Sequence, residues 1–100
     1  MGQSAGYVVV DVWRAKPGMT EQVERLLAEA APRFRAAPGV VSVDYTRLEE
    51  TSDTYLVIFR YVDRAAREAF VATDDLRDTM TALGHVWDLE SPIYRGEAIV

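Results

Sequence analysis

A single α+β domain with the order strand–helix–strand–strand–helix–strand is predicted for this chain, and three stretches predict it. Tyr7–Arg14 is a Val-rich run with two aromatics, the composition of a pleated, half-buried surface. Met19, Val23, Leu26, Leu27, Ala30 and Phe34 recur at the spacing of one helix face. Tyr55–Phe70 joins an apolar strand directly to an Ala-rich helix capped by Asp63.

Each element follows from local chemistry. In the first strand both alternating sets, Val8, Val10, Val12 and Tyr7, Val9, Asp11, Trp13, are largely apolar. A small sheet with helices on one face normally shows a wet second face, so a partner subunit is expected over the other. Lys16-Pro17-Gly18 breaks the strand, and Thr20 is the expected cap of a long amphipathic helix running to about Ala36. Pro32 falls inside that pattern and can kink it, and Pro38-Gly39 ends it. The second strand, Val40–Leu48, alternates Val41, Val43, Tyr45 with Ser42, Asp44, Thr46. Glu49–Asp53 forms a polar hairpin loop before the third strand, Thr54–Val62. The second helix should bury Ala66, Ala69 and Phe70, break at Thr73-Asp74-Asp75, and resume with Asp74 as cap and Leu76, Met80, Leu83 inward until Gly84. Glu90-Ser91-Pro92 leads into a last strand, Ile93–Ile99. This order reads as a ferredoxin-like sandwich with an antiparallel sheet.

Composition bounds the function. One hundred residues make one domain, expected over 7–100 after a flexible lead-in at 1–6. An apolar fraction of 49% and a charged fraction of 27% are ordinary for a globular protein. A net charge of -5 with no basic stripe argues against nucleic acid. The absence of cysteine removes disulfides, thiolate metal sites and a cysteine nucleophile, and fits a cytoplasmic location. No apolar run approaches the roughly 18 residues of a membrane span. Phosphate-binding glycine loops, nucleophile elbows and zinc-type His pairs are missing.

Several side chains can carry chemistry, each with a plainer alternative. Asp11 stands among Val and aromatics, where burial raises a carboxyl pKa and makes a proton acceptor; it can equally pair with an Arg or face solvent. Arg77 can stabilise an enolate or phenolate by charge-assisted hydrogen bonds, or pair on the surface with Thr73, Asp74 or Thr81. His85, the only histidine, is a possible base or haem ligand or an ordinary loop residue. Tyr61, Trp13, Tyr7, Tyr45 and Phe59 can line a pocket for a flat aromatic ligand or simply pack the core. Glu49, Glu50 and Asp53 suggest a solvated hairpin tip more than a metal site.

Lys16-Pro17-Gly18-Met19 before the long helix, Pro38-Gly39-Val40-Val41-Ser42 opening the second strand, and the Tyr55–Phe70 join resemble the antibiotic biosynthesis monooxygenase superfamily. The resemblance spans about Val8 to Ile99. It implies a dimeric α+β barrel and, in the best-known members, oxidation of anthrones and quinols by molecular oxygen without metal or organic cofactor. Tyr61 stands where many members have Trp, and Val57 where anthrone monooxygenases have Asn. Leu76-Arg77-Asp78 matches their helical Leu-Arg-acid pattern. Phe70 and Asp75 replace histidines of quinol-oxygenase relatives; Asp11 replaces an Asn and Met80 the iron-ligating His of haem-degrading members.

The expectation is therefore a homodimeric, cofactor-independent monooxygenase acting on a phenolic, anthrone-like polyketide or quinol substrate. Arg77, Tyr61 and Asp11 would be catalytic, with Trp13, Val57, Phe59, Phe70, Met80 and His85 around the substrate. A polyketide cyclase or isomerase, or a non-catalytic dimeric binding domain, are the alternatives.

Overall fold

The computed structural model describes residues 6–88 and 93–99. Five strands and three helices follow in the order β1 (Tyr7–Ala15), α1 (Thr20–Arg35), β2 (Val40–Arg47), β3 (Thr54–Tyr61), α2 (Arg64–Val71), α3 (Asp74–Leu83), β4 (Trp87–Asp88) and β5 (Ile93–Glu97). The expected ferredoxin-like α+β order is present, with one addition. The two-residue β4 precedes β5, and the two strands occupy successive stretches of one edge of β1, β4 opposite Arg14–Ala15 and β5 opposite Tyr7–Asp11. The sheet order is β2-β3-β1-β4, and all pairings are antiparallel. Residues 90–92, expected to lead into the last strand, lie outside the described residues, as do 1–5 of the expected lead-in.

Alternation along β1 and β3 sorts side chains between two environments. Tyr7, Val9, Trp13, Ala15 and their neighbours Tyr55, Val57, Phe59 and Tyr61 are buried on the helix side. Phe34 of α1 and Phe70 of α2 meet above them, edge to face at 5.3 Å, and both contact Phe59, at 6.1 and 5.6 Å. Each such pair contributes ~0.5–1.5 kcal/mol beyond its area burial. Tyr61 joins the cluster, stacked on Phe59 with centroids 6.1 Å apart.

Caps differ in how local they are. Asp63 caps α2 as expected, accepting from the Ala66 amide at 2.8 Å. Thr20 does not cap α1: Met19 holds that position without a side-chain bond, and the Thr20 hydroxyl donates instead to Asp53. The α3 cap is Thr73, which accepts from the Leu76 amide, so Asp74 is the first helical residue rather than the cap. In α2, Ala66 and Phe70 face inward while Ala69 is exposed. Pro32 sits inside α1 without ending it. A bulge between Val40 and Ser42 makes Val41 the extra residue, so Val40 and Val43 face the core.

Gly39 ties β2 to α2. Its φ is +80°, and a Cβ there would come 2.5 Å from the Ala66 Cβ. Gly18 has the same φ but open space around it. Gly18→Ala should therefore cost only the left-handed backbone penalty, roughly 1–2 kcal/mol. Gly39→Ala should cost ~1–3 kcal/mol more through overpacking. Urea denaturation of the two variants measures the difference; equal losses would mean that the glycine–helix approach is not close.

Candidate functional site

On the sheet's helix-facing side, β1 contributes one half-buried carboxylate among apolar residues. Asp11 lies in the middle of β1, directly opposite Val57 of β3 on one side and Ile93 of β5 on the other. Val57, fully buried, is in turn opposite Tyr45 of β2. Asp11 is only half-buried. Burial among these neighbours pushes its carboxyl from 3.8 up to about 6, although Arg67, a hydrogen bond with Trp13, and Arg95 each pull it back down.

Tyr61 and Arg67 share this electrostatic neighbourhood. Burial raises the Tyr61 phenol above its ordinary range; Arg67 opposes the rise, and Asp11 and Tyr45 add to it. Tyr61 therefore stays protonated at neutral pH and is a hydrogen-bond donor there. Arg67 comes from α2, one helical turn before the buried Phe70, so the turn that anchors the helix also sets its guanidinium over the sheet. Arg95 comes from β5, opposite Val9. Neither arginine closes a salt bridge with Asp11 among the described residues, so both act on it through space. The result is a proton acceptor, a neutral donor and a cationic donor at one edge of an aromatic layer.

Most of the expected site residues meet here. Asp11, Tyr61, Trp13, Val57, Phe59 and Phe70 all belong to the layer between sheet and helices, and Met80 packs against it from α3. Two do not. Arg77 lies on the outer side of α3, its side chain 69% exposed, and donates to Asp74 at 2.7 Å; an acid one turn away captures it before it can turn inward. His85 follows α3 in a turn and is exposed. Arg67 is the residue that sequence reasoning missed. Its signal was available, since it sits three positions before Phe70 and next to Ala66 on the inward stripe. Among the described residues no three His, Cys, Asp or Glu side chains cluster as a metal-ligand set. No helix among them is long and apolar enough to cross a membrane.

The antibiotic biosynthesis monooxygenase family matches residues 6–82. The chain belongs to this family. Solved structures carry the fold further along the chain. A Pseudomonas aeruginosa protein matches over 100% of both chains with a TM-score of 0.83 and 20% identity. A Mycobacterium tuberculosis protein matches with a TM-score of 0.84 at 14% identity, over 96% of this chain and 97% of its own. A structure described as an antibiotic biosynthesis monooxygenase gives 0.84 at 18% identity, over 94% of this chain and 99% of its own. At these identities the structures establish shared architecture only. No curated protein matches the chain significantly.

The raised Asp11 pKa makes stability depend on pH in a defined direction. Between 3.8 and about 6 the folded state holds a proton that the unfolded state has released. Stability from this group is therefore full below 3.8 and falls as pH rises through 6. Asp11→Asn removes that loss. Relative to its own difference from wild type at pH 4, the variant should gain about 1–2 kcal/mol at pH 7, a figure discounted for solvent screening of a half-buried group. Urea titrations at the two pH values check this; a pH-independent difference would contradict the burial of Asp11.

Proposed function

We propose that this family member is a cofactor-independent monooxygenase that oxidises an anthrone-like phenol or quinol with molecular oxygen at the Asp11 site. The observation that supports the reading is a lone carboxylate in an aromatic layer, its pKa raised to about 6, with a phenol and a guanidinium beside it. General-base catalysis is most effective when the base titrates near working pH. Asp11 takes the acidic proton of the substrate, and Tyr61 and Arg67 donate to the oxygen on which the negative charge settles. The electron-rich anion passes one electron to oxygen, and the resulting pair recombines as a peroxide. Loss of water then leaves the carbonyl. For an anthrone the balance is one CH2 group and one O2 giving one C=O and one H2O. Trp13, Val57, Phe59 and Phe70 form the dry walls. Arg67 takes the part that the sequence suggested for Arg77.

The same reading makes the protein a homodimer. Val8, Val10 and Val12 of β1 and Leu56 and Ile58 of β3 form the helix-free face, and Tyr94 of β5, opposite Val10, is 62% exposed. Apolar surface of this kind favours burial against a second sheet. Light scattering at micromolar concentration should give twice the chain mass of 11.2 kDa; a monomer would contradict it.

An oxygen electrode tests the activity with an anthrone and a naphthoquinol as probes. Uptake of one O2 per anthrone above the spontaneous rate is expected, with kcat/KM rising as Asp11 ionises through about pH 6. Asp11→Asn should lower kcat/KM by about 10²–10⁴-fold, and Arg67→Met by at least about tenfold. Arg77→Ala should leave it within about twofold, as for a surface side chain. No uptake with either probe would overturn the proposal, and turnover without oxygen would assign a cyclase or isomerase instead.

A further inference from the structure

The helix-covered side of the sheet has an opening that does not include Asp11. It lies at the free edge of β2, where α1 rides over the strand, and has a volume of about 460 Å3. Ala28, Ala31 and Pro32 of α1 form one wall, and Tyr45 of β2 lies across from them. A volume of this size takes a small organic molecule. The short side chains on the helix wall leave a slot suited to a flat one.

Two features of the slot are unexplained by packing. The Tyr45 hydroxyl is shielded from solvent and has no hydrogen-bond partner among the described residues. A phenol both donates and accepts, and leaving it unmet costs ~1–3 kcal/mol. Nearby, Arg35 lines the groove and donates from Nε and Nη2 to the Val43 carbonyl, at 3.2 and 2.9 Å. These bonds fix the guanidinium without neutralising it, and no carboxylate pairs with Arg35 among the described residues. Its charge is felt at the Tyr45 phenol. The other arginine of the groove, Arg47, is different. Glu24 neutralises it and also accepts from the Tyr55 hydroxyl at 2.8 Å. The slot thus has one uncompensated cation, one unpaired phenol and an apolar wall.

We propose that the groove between α1 and the β2 edge binds a planar aromatic carboxylate, its ring between Ala31, Pro32 and the Tyr45 ring and its carboxylate on Arg35. The guanidinium supplies charge-assisted donors to the anion, and the Tyr45 ring supplies the face against which the ligand ring packs. Nothing in this recognition uses Asp11, Tyr61 or Arg67.

Titration of the full chain with 1-naphthoate, followed by amide NMR shifts, tests the site. Saturable binding is expected, with the shifts concentrated at Ala28, Ala31, Arg35 and Tyr45. Arg35→Met should weaken it at least about tenfold, as loss of a charge-assisted hydrogen bond, whereas Tyr45→Phe, which keeps the ring face, should bind within about twofold of wild type. Ala28→Phe changes an exposed helix residue, so the fold is kept while the slot is filled; it should abolish binding. The neutral 1-naphthamide should bind at least about tenfold more weakly, and Asp11→Asn should bind as wild type does. Any of three results would overturn the proposal: no saturation with naphthoate, shifts centred on Asp11 and Tyr61, or equal binding of naphthamide.

Discussion

The position of β1 between β3 and β5 is the constraint from which the rest follows. A strand with neighbours on both edges has its backbone committed to the ladder, and its side chains must alternate strictly between two faces. On the helix side that alternation delivers Tyr7, Val9, Trp13 and Ala15 to the core. It also delivers Asp11. A one-residue slip would exchange this set for Val8, Val10 and Val12 and remove the carboxylate from the layer altogether. The register with β3, fixed by eight consecutive pairs from Tyr7–Tyr61 to Arg14–Thr54, is therefore what sets an ordinary aspartate among apolar neighbours.

The helices convert that placement into a site. Phe34 and Phe70 close over Phe59 and Tyr61. Gly39 lets β2 start against Ala66, so α2 sits low enough for Phe70 to reach the core. The same turn of α2 carries Arg67. An anchoring aromatic and a cation three residues apart cannot move independently, because the helix is rigid over one turn. The charge beside Asp11 is thus positioned by packing and not by a salt bridge of its own, which leaves the carboxylate oxygens uncommitted to a guanidinium.

What the sequence revealed depended on how local each cause was. β1 and β3 were legible because Val and aromatic runs fit a buried pleat, and Asp63 because its partner amide is three residues away. Thr20 was misread as a cap because its hydroxyl is taken by Asp53, 33 residues later, a contact that exists only once the hairpin folds back. Arg77 drew attention through its Leu-Arg-acid pattern, yet Asp74 one turn earlier holds it outside. Arg67 escaped notice because an arginine in an Ala-rich helix reads as surface, although its phase places it on the inward stripe. Asp11 was recognised from its setting alone. A single acid among Val, Tyr and Trp is either paired or perturbed, and here it is perturbed. The β2-edge slot had no sequence signature, since Arg35, Tyr45 and Ala31 converge only through the packing of α1 on the sheet.

The central claim is that a dry layer, tempered by Arg67, sets the protonation of Asp11. A carboxyl-carbon NMR titration of Asp11 in wild type and in Arg67→Met reads this at the atom concerned. The account predicts a midpoint near 6 in the wild type and a higher one in the variant, where the opposing positive charge is gone. A wild-type midpoint near the ordinary 3.8, unmoved by loss of Arg67, would contradict it.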